Sequence, residues 1–197
     1  MATSDKTHLV QTALRLSPVF TSAVGATFSY SFGVFFAGFR PSTNTSAGAG
    51  ISSMPAAAKW DAMPHWFRSV RARGLRTIFI AYNSSILLGG ANALLFWGTS
   101  VSGTAAAAAA TPAQQYSGWS RAAYAAGTLF SVAYYAYTFS LRLIPMNLVL
   151  ADEKNPVPRR EEAERDLARL DWRRTLTTGT PAAVSFFVAA LLWFLEH

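Results

Sequence analysis

The stretch SLRLIPMNLVLADEKNPVPRREEAERDLARLDWRR, residues 140–174, decides how the rest of this chain can fold. It starts as the end of an apolar helix and soon reaches Pro145, which has no N–H to donate and whose ring clashes with the preceding helical turn. Asn147 and a long polar segment follow, and the stretch closes on Trp172-Arg173-Arg174, where a new apolar run begins. We therefore predict a helix break at Pro145 and a gathering of polar side chains at one end of a helical bundle.

The composition of the whole chain indicates a membrane protein. Of its 197 residues, 51% are hydrophobic and only 14% are charged, whereas soluble domains carry about 25% charged residues. The absence of cysteine excludes disulfides and thiolate chemistry, and three scattered histidines do not suggest a metal site. The net charge of +7 could indicate nucleic-acid binding, but the basic cytosolic loops of a membrane protein explain it more simply.

Four apolar segments are long enough to cross a bilayer. A helix rises about 1.5 Å per residue, so about 20 residues span a hydrocarbon core of about 30 Å. We predict an all-α integral membrane protein: a four-transmembrane-helix bundle that forms a single domain over residues 1–197. A short amphipathic helix is expected between spans 3 and 4, at about residues 159–173. The spans are predicted at about residues 16–39, 77–98, 121–143 and 176–195.

Small residues recur every four positions in the first three predicted spans. Such stripes let helices approach closely, which matters because lipid supplies no hydrophobic drive for helix association. We expect spans 1 and 2 to be brought close in this way. The stripes are Gly25, Ser29, Gly33 and Ala37; then Ala81, Ser85, Gly89 and Ala93; then Ala123, Gly127 and Ser131.

Polar side chains inside the spans must face partner helices or a wet cavity. For Tyr82 and Asn92, hydrogen bonding between helices is a simpler explanation than a catalytic role. Tyr134, Tyr135 and Tyr137 cannot share one helix face at about 100° per residue. At least one of these three tyrosines should therefore point into the bundle.

The distribution of basic residues predicts the orientation. The loops over residues 40–76 and 142–175 hold 14 of the 17 Lys and Arg, and the positive-inside rule puts such loops in the cytosol. Both termini are then lumenal or outside, and we expect the endoplasmic reticulum or another endomembrane. The sequon at Asn44 lies in the first cytosolic loop and should stay unglycosylated.

This order of spans and motifs resembles the anthrone oxygenase family, small four-span membrane proteins of fungal and bacterial polyketide pathways. The resemblance covers most of the chain and implies oxidation of an anthrone-like phenolic polyketide to a quinone with O2, without flavin or haem. The matching positions lie in HWFRSVRARG, IPMN and LDW, and they are Trp66, Gly74, Pro145, Asn147, Leu150 and Trp172.

The chain departs from the family pattern at three positions. The family often carries Asn or His, then Arg, four and seven residues after the tryptophan of LDW, where this chain has Leu176 and Gly179. The family also commonly has Tyr where this chain has Val70. The resemblance is therefore to a divergent member.

The implied reaction needs a base, donors for a developing enolate oxygen and an aromatic pocket. His65 is the candidate base, because an imidazole can gain and lose a proton near neutral pH. We expect no metal and no organic cofactor, with O2 as co-substrate. The expected partners are a hydrophobic aromatic small molecule, the lipid bilayer and further copies of the chain, but not nucleic acid. The candidates for the enolate oxygen are Asn147, Arg142 and Arg173, and those for ring binding are Trp66, Tyr82, Tyr137 and Trp172.

Each candidate also has a purely structural interpretation. Arg142 can extend to lipid headgroups, Asn147 can cap a broken helix, and Trp66 and Trp172 can be interfacial anchors. A non-catalytic membrane scaffold or a small transporter subunit would need only packing from these residues. Incubation of the protein with an anthrone under air would distinguish the enzyme from the scaffold.

Overall fold

The computed structural model describes residues 2–38, 56–95, 112–139 and 143–196, and nearly all of them are helical. The all-α class predicted from the sequence is confirmed, while the single domain over residues 1–197 stays a prediction. Asn44 and Arg142 lie outside the described residues. The helices are α1 (Ala2–Gly38), α2 (Ala56–Trp66), α3 (Ala72–Leu95), α4 (Pro112–Phe139), α5 (Leu143–Ala151), α6 (Val157–Arg174) and α7 (Thr180–Glu196).

Two π-helical turns join neighbouring helices into longer ones. The first, Phe67–Arg71, joins α2 to α3, and the second, Thr175–Gly179, joins α6 to α7. The predicted amphipathic helix is therefore correct in position but wrong as a separate element, because it continues directly into the predicted fourth span. Part of the predicted loop 40–76 is likewise helical, from Ala56 onward.

The sequence TLTTGTP, residues 175–181, gives a physical reason for the second π turn. Pro181 has no N–H to donate to the preceding turn, which disturbs the regular ladder. The hydroxyls of Thr175, Thr177 and Thr178 donate to the carbonyls four residues earlier at 2.8, 2.8 and 2.7 Å. These bonds supply side-chain donors to main-chain acceptors where the backbone pattern changes.

Two of the four predicted spans pass a test of length and apolarity within the described residues. They are Arg73–Leu94, at the predicted second span, and Val157–Leu195, which contains the predicted fourth span. The predicted first and third spans lie on α1 and α4, which are long but rich in Gly, Ala, Ser, Thr and Tyr. Because these residues are less apolar than Leu, Ile or Val, α1 and α4 do not pass this test, and the four-span bundle stays a prediction.

Helices α1 and α3 approach closely through small and hydroxyl residues. The hydroxyls of Thr21 and Ser85 lie 2.8 Å apart in a hydrogen bond between these helices. A Cβ placed on Gly25 would lie only 2.7 Å from a ring carbon of Tyr82. One residue of each predicted stripe, Gly25 on α1 and Ser85 on α3, therefore lies in this helix–helix contact.

Phe186 of α7 fills the corresponding space between α3 and α4. Its ring is fully buried, and a Cβ on Gly89 or Gly127 would lie 2.5 or 2.7 Å from its Cε1 atom. Glycine is thus required at both positions for the ring to fit. Small residues on two helices accept one large side chain from the third.

The same long helices expose many of their large apolar side chains. Buried positions are occupied largely by Gly, Ala and Ser, together with a few aromatic rings. This is the reverse of a water-soluble bundle, in which large apolar side chains fill the core. Exposed examples are Phe20 and Val24 on α1, Ile80 and Leu87 on α3, Leu129 and Val132 on α4, and Phe187 and Leu191 on α7.

Asn92 of α3 donates a hydrogen bond to a carbonyl of α1 that has no helical donor because of Pro18. Pro18 lies inside α1 and has no N–H, so the carbonyl of Leu14, four residues earlier, loses its helical donor. The Asn92 Nδ2 atom donates to this carbonyl at 3.0 Å and to Leu88 O at 2.8 Å. The prediction that Asn92 bonds between helices is confirmed.

Helices α2, α5 and α6 form a smaller unit, called the cap below, beside one end of the bundle. Pro64 of α2 leaves the Trp60 carbonyl without its helical donor, and Arg160 Nη1 of α6 donates to that carbonyl at 2.6 Å. The Arg160 guanidinium also lies 5.7 Å from the Trp60 ring centroid, within cation–π range. The cap core consists of Trp60, Met63, Phe67, Leu150, Ala163, Leu167 and Ala168.

Pro145 lies in the first turn of α5 and not at an internal break. Helix α4 ends at Phe139 and α5 begins at Leu143. A proline is tolerated in a first turn because the N–H there has no helical acceptor. Asn147 therefore belongs to the body of α5 and does not cap a helix end.

Candidate functional site

An ion pair is buried where α6 meets the second π turn. Arg174 Nη2 donates to Asp171 Oδ1 at 2.7 Å, and the two side chains are only 5% and 3% exposed. Removing two charges from water costs several kcal/mol per ion before their attraction is counted. Charged groups in such surroundings therefore mark a candidate functional site.

The pair is continued by aromatic rings from two other helices. The Arg174 guanidinium carbon lies 4.3 Å from the centroid of the Tyr134 ring of α4. On α3, Tyr82 stacks on Tyr134 with centroids 3.8 Å apart and planes 13° apart. The Tyr134 hydroxyl is bonded to Ser29 Oγ of α1 at 2.7 Å. We call Ser29, Tyr82, Tyr134, Asp171 and Arg174 the inner cluster.

Tyr82 occupies a narrow slot in this cluster. Its side chain is fully buried; Gly25 lies against its ring, and a Cβ on Gly179 would lie 2.8 Å from its hydroxyl oxygen. The Tyr82 hydroxyl makes no hydrogen bond of normal geometry within the described part of the chain, although the Ser29 side chain is close to it. A buried hydroxyl without a partner loses its hydration with no compensating bond.

The spacing of α6 explains why Asp171 and Arg174 point inward. Positions separated by three or four residues share one face of a helix. The buried face of α6 continues through the second π turn, where Thr178 and Gly179 are also buried. On α6 this face holds Arg160, Ala163, Glu164, Leu167, Ala168, Asp171 and Arg174.

The chemistry available to the inner cluster is stabilisation of an anionic oxygen. Arg174 offers a fixed cation, and Tyr82 offers a hydroxyl donor in surroundings that exclude water. Donors held in place in this way stabilise charge that develops during a reaction. Within the residues that the structure describes, no group of three or more His, Cys, Asp and Glu side chains is arranged to hold a metal ion.

The four predicted catalytic residues are not part of the inner cluster. His65 is exposed on α2, and Arg173 is exposed on α6, one position before the inward-facing Arg174. Asn147 is half-buried on α5. Its Oδ1 atom is shielded from solvent and has no hydrogen-bond partner among the described residues. Arg142 lies outside the described residues.

Of the predicted ring-binding residues, only Tyr82 belongs to the inner cluster. Trp66 is half-buried against the cap core, and Tyr137 is exposed on α4. Trp172 is exposed and lies 5.8 Å, between ring centroids, from Tyr30 of α1. The expectation that one of three tyrosines on the third span points inward is confirmed by Tyr134, which is buried.

The sequence interpretation missed Asp171, Arg174, Tyr134 and Ser29 as site residues. A signal for two of them was present, since Ala163, Leu167, Asp171 and Arg174 follow the three- and four-residue spacing of one helix face. That face would have been found by continuing the helix past residue 173. Ser29 lies in the small-residue stripe of span 1, and its pairing with the Tyr134 hydroxyl connects positions 105 residues apart.

Searches against models of protein families, curated proteins and solved structures return no match for this chain. The resemblance to anthrone oxygenases thus stays a prediction from the sequence motifs.

Proposed function

We propose that this protein is a membrane-embedded oxygenase that oxidises an anthrone-like phenolic polyketide to a quinone with O2. The observation that carries the proposal is the buried Asp171–Arg174 pair beside the stacked rings of Tyr82 and Tyr134. Together they offer a cation, a hydroxyl donor and aromatic surfaces in a dry environment. These are the features that an enolate of a planar phenol requires.

The proposed setting is a four-helix membrane bundle built from α1, α3, α4 and α7. Its support is the burial pattern, with small residues in the helix contacts and large apolar side chains outside. Lipid solvates such an exterior, and close packing through small residues is the usual basis of membrane helix association. Helices α1 and α4 share this burial pattern, although their hydroxyl and glycine residues lower their mean apolarity.

We propose that the end of the bundle that carries the cap faces the cytosol at an endomembrane, with the chain termini on the other side. The support is the count of basic residues in the two predicted loops, 40–76 and 142–175, which contain α2, α5 and α6. Arg68, Arg73, Arg76 and Arg173 are exposed in this region. Exposed arginines at a bundle end can reach phosphate headgroups.

In the proposed reaction, a base removes a proton from the CH2 carbon of the anthrone and leaves an enolate. Arg174 and the Tyr82 hydroxyl stabilise its oxygen, and the electron-rich carbanion combines with O2. The resulting peroxide loses water, so that the CH2 group and O2 become C=O and H2O. His65, which is exposed on α2 and lies outside the inner cluster, stays the candidate base from the sequence.

The test is the oxidation of an anthrone by purified protein in nanodiscs under air. Quinone absorbance and O2 consumption should both exceed those of empty nanodiscs and boiled protein. The Tyr82→Phe variant is the sharpest probe, because it removes only a hydroxyl that makes no normal hydrogen bond to the described residues and should leave folding intact or improved. We expect the loss of this donor to lower turnover about 10²–10³-fold.

Two further variants test the roles of charge and base. Arg173→Met should leave turnover unchanged, because that side chain is exposed and takes no part in the Asp171–Arg174 ion pair. His65→Ala should be slow and partly restored at high pH, where solution base can deprotonate the anthrone. Oxidation at the wild-type rate by both Tyr82→Phe and His65→Ala would contradict the assigned roles.

A second candidate is a non-catalytic membrane scaffold. The observation that favours it is the filling of the inner cluster by the protein's own Tyr82 ring, which contacts Gly25 and Tyr134. In that case wild-type protein oxidises anthrone no faster than empty nanodiscs. Tyr82→Phe would then change stability alone.

A further inference from the structure

We infer that α5 lies inside the lipid leaflet on the cap side, with Ile144, Pro145 and Leu148 against acyl chains. This placement rests on the proposed membrane setting of the bundle and is independent of the proposed oxidation. It makes α5 an interfacial helix of the membrane, whereas the sequence prediction assigned residues 142–175 to a cytosolic loop.

Helix α5 is apolar on all sides. Its sequence, LIPMNLVLA, holds one polar residue, Asn147. One face is covered by protein, since Leu150 is fully buried and Met146 and Val149 pack against the cap core. The other face is exposed although it is equally apolar: Leu148 is 67% exposed. A helix that is hydrophobic all round belongs in a protein core or a membrane.

Helix α5 has the length of an interfacial helix, and a carbonyl near its C-terminal end is hydrogen-bonded within the protein. Nine residues extend about 13.5 Å, too short for a hydrocarbon core of about 30 Å but suited to an interfacial segment. Backbone groups in lipid need partners within the protein. Near the C-terminus of α5, Asn155 Nδ2 donates to the Val149 carbonyl at 3.2 Å, so this acceptor needs no water.

Charged residues directly follow the C-terminal end of α5. The turn after α5 exposes Asp152, Glu153 and Lys154, and an ion pair joins Glu153 to Arg68 in the first π turn. This turn therefore marks the boundary with water. Charged side chains at the end of an apolar helix are typical of the headgroup region.

Lipid is the occupant that these features favour over a second copy of the chain. The exposed apolar face of α5 is not isolated, because α3 and α7 of the same chain also expose large apolar side chains. Examples are Leu87 and Phe187. Lipid can cover all of these surfaces at once. A protein partner would have to be complementary to the small face of α5 alone.

The absence of cysteine from the chain permits a direct test with single-cysteine variants. Leu148→Cys, Glu153→Cys and Leu87→Cys are prepared in phosphatidylcholine nanodiscs and reacted with a membrane-impermeant maleimide. All three side chains are exposed on the protein, so the substitutions should not disturb packing. The reactive species is the thiolate, which lipid disfavours, so Leu148→Cys should react roughly tenfold or more slowly than Glu153→Cys.

The outcomes separate this inference from the proposed membrane setting. Slow labelling of both Leu148→Cys and Leu87→Cys supports the inference. Rapid labelling of Leu148→Cys alone overturns it and leaves the bundle in the membrane. Rapid labelling of Leu87→Cys as well overturns the membrane setting itself.

A nitroxide at position 148 distinguishes lipid from a second copy. Lipid contact gives frequent collisions with dissolved O2 and rare collisions with a water-soluble nickel chelate. Infrequent collisions with both reagents, increasing when the protein is diluted into more nanodiscs, would show a protein contact and overturn the inference.

Discussion

The hydrogen bond from Asn92 to the carbonyl before Pro18 gives a quantitative test of the packing. We consider Asn92→Leu, which keeps a similar volume, and Pro18→Ala, which restores a main-chain N–H. In the wild type, Leu14 O depends on Asn92 Nδ2 at 3.0 Å. In Pro18→Ala, the new N–H at residue 18 can donate to Leu14 O along the helix. The asparagine should then matter less.

The expected coupling between the two substitutions is about 1 kcal/mol. Leaving a buried acceptor without a donor costs about 1–3 kcal/mol, whereas helix–helix hydrogen bonds measured within membranes average about 0.6 and reach about 1.7 kcal/mol. Asn92 is buried at 4% exposure, so water cannot readily replace the lost donor. Asn92→Leu should therefore be less destabilising by about 1 kcal/mol in the Pro18→Ala background.

The measurement is a double-mutant cycle on the free energy of unfolding in bicelles. Ser120→Ala is the matched control, since Ser120 Oγ also donates to a carbonyl on another helix, Ala189 O, at 2.9 Å. That carbonyl keeps its own helical donor at Trp193, so Ser120→Ala should be additive with Pro18→Ala. Additivity of Asn92→Leu with Pro18→Ala would refute the reasoning.

Three further outcomes follow from the described contacts and from the predicted topology. Gly89→Leu should sharply lower folded yield, because a Cβ there already lies 2.5 Å from Phe186, whereas Leu87→Ala should be tolerated at an exposed position; equal yields would contradict the packing. Arg174→Met should destabilise by about 3–5 kcal/mol because Asp171 is left buried and unpaired, and unfolding curves should show a smaller loss when Asp171→Leu is added. Asn44 should show no mobility shift on glycosidase treatment of protein made in a eukaryotic host; a shift abolished by Asn44→Gln would reverse the orientation.

The helix contacts could be predicted from the sequence because they depend on residue size at a fixed spacing. Gly25, Ser85 and Gly89 each lie in a stripe of small residues, and each is buried in a helix contact. The inward direction of Asn92 followed equally well from the need to satisfy a polar group in an apolar setting. Only two of the four predicted spans pass the test of length and apolarity, because the same small and hydroxyl residues reduce the apolarity of α1 and α4.

The inner cluster was harder to predict because α6 was expected to end at about residue 173. Which side chains face inward at this end depends on whether the helix continues, and it does continue through the second π turn. Trp172, Arg173 and Arg174 are consecutive, and only the last is buried. Ending the helix at residue 173 left no basis for choosing between the two arginines. Continuity through the second π turn fixes the choice, since it extends the face of Leu167 and Asp171 to Arg174.

Prolines inside the helices show what the local sequence can predict about hydrogen bonding and what depends on the packing of distant residues. Pro18 and Pro64 each identify, from the sequence alone, a carbonyl four residues earlier that must find another donor. The donors themselves, Asn92 and Arg160, lie 78 and 100 residues from those carbonyls. Local chemistry therefore specifies the acceptor, and only the packing of distant helices specifies the donor. The same separation explains Tyr82. The sequence indicates a polar group inside a span, but only the structure shows that its hydroxyl makes no normal hydrogen bond within the described ranges while its ring is held by Gly25 and Tyr134.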